Sequence, residues 1–165
     1  MPDSQKISEK QSEYMNLIAE IMDIRKRGEK PVAYIRTYGC QQNVADSEKI
    51  KGMLEQSGFE FADEPDNADF ILFNTCAVRE HAEDRVFGNV GALKNLKRKH
   101  PQILIALCGC MMEQEHVANK IYKSFPFVGL VFGTHSLHHF PELMYNALLD
   151  LSLIHISEPT RHLRI

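Results

Sequence analysis

Asp69-Phe70-Ile71-Leu72-Phe73-Asn74-Thr75-Cys76 is the stretch that decides the fold. Its run of apolar side chains leaves no polar face, so it reads as a strand buried on both sides rather than one half exposed to water. The same arrangement occurs before and after it. Val32-Ala33-Tyr34-Ile35-Arg36-Thr37-Tyr38-Gly39 runs into Cys40, and Ile103-Leu104-Ile105-Ala106-Leu107-Cys108-Gly109 runs into Cys110. Each run ends at a cysteine and precedes a helix-like alternation of polar and apolar residues. A parallel sheet gathers the C-terminal ends of its strands on one edge, where such folds build their sites. Cys40, Cys76 and Cys110 are therefore expected to converge, and a convergent set of thiols points to a metal or iron–sulfur site.

Working outward, the rest of the chain keeps the same rhythm. A helix over 43–57 presents Ile50, Met53 and Leu54 and stops at Gly58. A short strand Phe59-Glu60-Phe61 and a turn around Pro65-Asp66-Asn67 lead to the strand over 69–75. A long helix over 79–99 ends at His100-Pro101. The strand over 102–108 leads to a helix over 113–124, then a last strand over 127–132 and a helix over 139–149. Strands alternating with helices predict an α/β fold: three layers, a mostly parallel five-stranded sheet and helices on both faces. Strand order is not legible from this pattern. Residues 1–30 read as a preceding N-terminal helical extension, with Tyr14, Leu17, Ile18, Ile21 and Met22 at helical spacing and Gly28 as its stop. The domain proper is expected over 31–150.

The chain has 165 residues, 44% hydrophobic and 25% charged, which suits one domain with a substantial core. Its net charge of −3 does not advertise nucleic acid. The polar start Met1-Pro2-Asp3-Ser4-Gln5-Lys6 has no secretory core. The longest apolar run, Ile103 to Met112, is far below the roughly 18 residues a membrane span needs. A cytoplasmic protein without membrane contact is the expectation. There thiols stay reduced, and metal or redox chemistry outweighs disulfides.

Taken singly, a cysteine near a strand end is most often a buried small hydrophobe. Cys108, flanked by Leu107 and Gly109 within its strand, is read in that way. Zinc is the rival metal, but it usually takes four ligands in close pairs, and the one close pair here is Cys108-x-Cys110. Asn43, Asp46, Ser47 and Glu48 fit helix-start capping. Arg79 and Glu80 fit a first helical turn. Lys94, Lys97, Arg98 and Lys99 form a basic helix end that the helix dipole accounts for, with an RNA phosphate contact as the alternative. His135, His138 and His139 are expected to face solvent. Gly88-Asn89-Val90-Gly91 lies inside a helical pattern and is no phosphate loop.

Three segments carry a family resemblance. Thr37-Tyr38-Gly39-Cys40-Gln41-Gln42-Asn43-Val44-Ala45-Asp46-Ser47-Glu48 resembles the first signature of the radical S-adenosylmethionine tRNA methylthiotransferases. Asn74-Thr75-Cys76-Ala77-Val78-Arg79-Glu80 resembles their second, and Cys108-Gly109-Cys110-Met111-Met112-Glu113-Gln114 their third. The Thr-Tyr-Gly-Cys-Gln form, with Val131-Phe132-Gly133-Thr134-His135, is similar to the MiaB-type branch, although Gln42 stands where that branch commonly has Met. The match runs from about Pro31 to Leu149.

The resemblance implies that Cys40, Cys76 and Cys110 hold an auxiliary 4Fe-4S cluster. It also implies that the full-length enzyme adds a methylthio group to an isopentenylated adenosine beside the tRNA anticodon. S-adenosyl-L-methionine and a second 4Fe-4S cluster belong, on that resemblance, to a following radical domain, and a small RNA-binding barrel comes after it; neither is expected in this chain. The fragment is then expected to be a monomer that is inactive alone, with tRNA reached through the full-length enzyme and the sulfur donor unspecified. Two alternatives stay open: a standalone iron–sulfur or zinc carrier, and a flavodoxin-like binding domain with structural cysteines. Residues 151–165 break the domain's pattern. Leu151-Ser152-Leu153-Ile154-His155-Ile156-Ser157-Glu158-Pro159-Thr160-Arg161 reads as the translation of a sequencing adapter, a non-native tail.

Overall fold

A computed structural model describes residues 2–76, 82–153 and 163–164. The three cysteine-terminated runs form neighbouring strands. They are β1 (Val32–Thr37), β3 (Phe70–Thr75) and β4 (Leu104–Gly109), joined by β2 (Glu60–Phe61) and β5 (Leu130–Phe132). The expected five strands lie in the order β2-β1-β3-β4-β5, all parallel, and β6 (Leu163–Arg164) runs beside β5. Two-residue β6 falls in the segment read as a tail. The order 2-1-3-4-5 is that of flavodoxin-like sheets, and it reverses between β1 and β3, the switch point at which such sheets bind their ligands.

β3 and β4 are buried at every position, and their alternation sorts the side chains between two cores. Phe70, Leu72, Leu104 and Ala106 face one core, shared with α1 (Pro2–Lys26), α2 (Gln41–Gln56) and α6 (Phe140–Leu153). Ile71, Phe73, Ile105 and Leu107 face the other, shared with α3 (Ala82–Ala92), α4 (Lys94–Lys99) and α5 (Glu115–Ser124). The three layers foreseen from the apolar runs follow from this split.

α1 is an integral part of the first layer. Ile18 and Met22 are 1% and 4% exposed within its core. The Gln11 side chain accepts a hydrogen bond from the Glu142 backbone N–H at 3.1 Å, and Arg25 donates to the Leu148 carbonyl at 2.9 Å. The Tyr14 and Tyr145 rings meet at 5.4 Å between centroids. At the end of α1, Asp69 accepts from Lys26 at 3.3 Å and from the Val32 backbone N–H at 2.8 Å, which fixes where β1 begins.

The structure differs from expectation in two helices. The single helix read over 79–99 is broken into α3 and α4 at Leu93, whose N–H bonds the Val90 carbonyl at 3.0 Å. That tightened turn puts the Leu93 side chain, 5% exposed, into the second core. The helix read from 113 starts instead at Glu115. A 3-10 turn, Cys110–Glu113, comes first and buries Met111 and Met112. Arg79 and Glu80 lie outside the described residues.

Candidate metal centre

The register places the cysteines. Thr37 pairs with Asn74, Asn74 with Cys108, and Thr75 with Gly109. One residue beyond the last pair come Cys76 and Cys110, just past the ends of adjacent strands that run about 4.8 Å apart. Counting the same way along β1 brings Gly39 level with Cys76, and Cys40 follows. The three thiols therefore leave three contiguous strands, β1, β3 and β4, with Cys76 in the middle.

Two glycines make this packing possible. Gly39 has φ +108°, and a Cβ there would overlap Cys76 Cβ and lie 3.0 Å from Cys76 Sγ. Gly109, at φ +106° and ψ 178°, would drive a Cβ into the Thr75 carbonyl and to within 2.7 Å of Asn74 Oδ1. The backbones of β1 and β4 thus close onto the end of β3 from both sides, where only glycine fits.

The four cysteines occupy unlike settings. Cys40 is exposed and caps α2 with extended backbone. The backbone N–H groups of Asn43 and Gln42 hold its thiol below the ordinary range, and the Cys76 thiol adds a smaller push in the same direction. As a thiol, Cys40 donates to Asn43 Oδ1 at 3.1 Å. Cys76 is 3% exposed. Cys110 is half-buried and directs its thiol at the Thr75 carbonyl, 3.8 Å away. Cys108 is 2% exposed in the first core, as foreseen. Burial pushes its thiol well up, and the nearby Asp46 carboxylate pushes it further, so it stays protonated.

Beneath the cysteines lies a polar network that sequence reasoning misread. Asn43, Asp46 and Ser47 were expected to cap α2; instead they are 4%, 5% and 2% exposed. Asn43 Nδ2 donates to Asn74 Oδ1 and to the Thr75 carbonyl, both at 2.9 Å. Asn74 Nδ2 returns bonds to the Asn43 carbonyl at 2.9 Å and to Ser47 Oγ at 3.0 Å. Ser47 Oγ meets Thr37 Oγ1 at 2.7 Å, and Thr75 Oγ1 donates to the Cys108 carbonyl at 2.8 Å. α2 can bury Asn43 and Ser47 because the ends of β1 and β3 supply their partners, while Asp46 accepts from Gln42 Nε2 on α2 itself at 2.9 Å.

Glu113 also escaped the sequence reading. Its carboxylate accepts from the His135 backbone N–H at 3.2 Å and fills the space a Gly133 side chain would need. It ties the Cys110 turn to the segment after β5. His135 and His138 are exposed, as expected, and neither approaches the network by any described hydrogen bond; His139, also expected in solvent, is half-buried, with its Nδ1 turned toward the Glu142 carboxylate at 3.7 Å. An open cavity of about 560 Å³ lies between α2 and residues 134–138; Gln42 and Asp46 line it, but the cysteines do not. Among the described residues, no three His, Cys, Asp or Glu side chains are grouped closely enough to hold a single metal ion. No described helix is long and apolar enough to cross a membrane.

Comparison with known proteins agrees with the motifs. The family described as "Uncharacterized protein family UPF0004" matches residues 32–133. A "tRNA-2-methylthio-N(6)-dimethylallyladenosine synthase" of Caldicellulosiruptor saccharolyticus is 54% identical over 123 residues, 74% of this chain and 26% of that protein. Enzymes of the same name from Clostridium perfringens and Halalkalibacterium halodurans are 50% and 48% identical, over 78% and 84% of this chain. The chain spans 29% and 26% of their lengths.

Proposed function

The chain belongs to the UPF0004 family, and from that premise we propose that it is the auxiliary-cluster domain of a MiaB-type tRNA methylthiotransferase. In this reading the whole enzyme converts an isopentenylated adenosine beside the anticodon to its 2-methylthio derivative. The observation that carries the proposal is the arrival of Cys40, Cys76 and Cys110 on three contiguous strand ends, at the switch point of the sheet.

The donor set suits an iron–sulfur cluster. Three sulfur ligands are available, and the exposed one sits where a helix N-terminus favours thiolate. Their spread over three strand ends suits the several irons of a cluster. Cys108 is withheld by burial, which weakens a zinc site built on Cys108-x-Cys110. Bound here, a 4Fe-4S cluster would supply one iron with no protein ligand, open to an exogenous sulfur atom.

The chain's own residues have simpler tasks. Gly39 and Gly109 let the strands approach, and buried Cys76, Asn74 and Thr75 close the base of the site to water. Cys40 and Cys110, the more accessible ligands, lie toward solvent, where a substrate-bearing domain would dock. Radical generation from S-adenosylmethionine, the second 4Fe-4S cluster and the main tRNA contacts belong to the rest of the enzyme. The working compartment is the cytoplasm.

Anaerobic reconstitution with ferrous iron and sulfide tests this reading. About four irons per chain are expected, lost in Cys40→Ser, Cys76→Ser and Cys110→Ser and retained in Cys108→Ser. No iron uptake, or loss only with Cys108→Ser, overturns it.

A further inference from the structure

Asn43 stands between the Cys40 turn and the ends of the other two cysteine strands. Its Oδ1 receives the Cys40 thiol at 3.1 Å, while its Nδ2 is spent on Asn74 Oδ1 and the Thr75 carbonyl at 2.9 Å. The Thr75 carbonyl is the group toward which the Cys110 thiol points, and Thr75 directly precedes Cys76. One amide side chain, 4% exposed, thus reaches groups attached to all three cysteines. Both of its donor bonds are buried, so flipping the amide would break them and leave acceptors facing acceptors. Its orientation is thereby fixed, with Oδ1 toward Cys40.

We propose that Asn43 is the positioning residue of the thiol site, locking the Cys40 turn against the Thr75–Cys76 backbone before any metal is bound. The inference deepens the cluster reading and rests on it for its purpose, but the positioning itself is a property of the metal-free chain. α2 alone would not fix Cys40. A helix N-cap residue frays readily, and no side chain caps this helix. The Asn43 clasp replaces that missing cap with a bond across the switch point, from α2 to β3.

The experiment compares the full chain with Asn43→Ala and with Ser57→Ala. Ser57 closes the far end of α2 by bonding the Met53 carbonyl at 2.9 Å, and it serves as a control for a general loss of stability. The metal-free proteins are treated with diamide, a two-electron thiol oxidant, which couples the Cys40 and Cys76 thiols as a disulfide and is itself reduced to the hydrazine. Mass spectrometry gives the rate of that bond. Held side by side, the two thiols react at high effective concentration, so Asn43→Ala slows coupling by roughly tenfold. Iron content after anaerobic reconstitution falls at least severalfold in the same variant. Ser57→Ala matches the parent in both. If Asn43→Ala does not fold by circular dichroism, Asn43→Ser, neutral and too short to reach both the Thr75 carbonyl and Cys40, takes its place with the same expectation.

Parent-like coupling in the Asn43 variant, or equal slowing in Ser57→Ala, overturns the positioning role. A parent chain that takes up no iron, yet couples its thiols tenfold faster than Asn43→Ala, overturns the cluster reading and leaves the positioning role supported.

Discussion

Replacing Gly109 by alanine puts the packing of the strand ends to a quantitative test. The residue sits at φ +106° and ψ 178°, a region essentially reserved for glycine. Forcing alanine into it costs about 1–3 kcal/mol in backbone strain. The added Cβ would also overlap the Thr75 carbonyl and come within 2.8 Å of the Thr75 nitrogen. Those are backbone atoms of a central strand and cannot swing aside, so overpacking adds about 1–3 kcal/mol more. A loss of roughly 2–6 kcal/mol is expected, against a total stability of about 5–15 kcal/mol for an ordinary domain. Gly52 supplies the opposite case in the same protein. It lies inside α2 with open space where a Cβ would go and an ordinary helical φ, so Gly52→Ala should stabilise by about 0.5–1 kcal/mol. Urea unfolding of both variants and the parent, read by circular dichroism under reducing conditions, gives the two values. A Gly109→Ala variant within 1 kcal/mol of the parent, with an unchanged slope, would refute the claim that β4 closes against Thr75 through this glycine.

Other outcomes follow from single side chains. Burial, with Arg25 nearby, lowers the Lys97 pKa from 10.5 to about 8. A lowered lysine makes the folded chain bind fewer protons than the unfolded one between those values. Its penalty is therefore full below pH 8 and relieved as pH rises to 10.5, so the parent should gain up to about 3 kcal/mol on Lys97→Met across that window in unfolding titrations. Asp69→Asn weakens the anchor shared by Lys26 and the Val32 N–H, and should lower stability by about 1–2 kcal/mol, less so at high salt. Cys108→Ala trims one buried atom, so calorimetry should show a loss near 1 kcal/mol. In the parent, Cys108 should react with a thiol reagent only after denaturant is added.

The sheet was legible because its central strands are buried on both faces. Phe70–Thr75 and Leu104–Gly109 announce themselves as unbroken apolar runs, and the cysteine ending each one could be seen without knowing strand order. Order itself was hidden, since nothing local in β2 says that it lies outside β1. The helix break at Leu93 was hidden for a related reason. Its residues keep helical spacing throughout, and only the pull of the second core turns the chain. The polar network was the larger omission. Asn, Asp and Ser at a helix start look alike whether they cap their own helix or reach across to a strand. Asn43 became distinguishable only when Asn74 and Thr75 appeared beside it. Glu113 gave no signal because its partner, the turn at Gly133 and His135, lies twenty residues away.

The seam between α1 and α6 has a consequence for how the molecule is made. Gln11 and Arg25 reach across 131 and 123 positions to Glu142 and Leu148. At about 5–20 residues per second, a ribosome needs roughly 6–25 s to travel that distance. Throughout that interval the apolar stripe of α1, with Ile18 and Met22, has no partner on α6 and is open to chaperones or to other nascent chains. The sheet can assemble strand by strand as it emerges, but its first helical layer closes late, in one docking step. Substitutions along this seam should therefore register first in the yield of soluble protein during synthesis, even where the finished fold tolerates them.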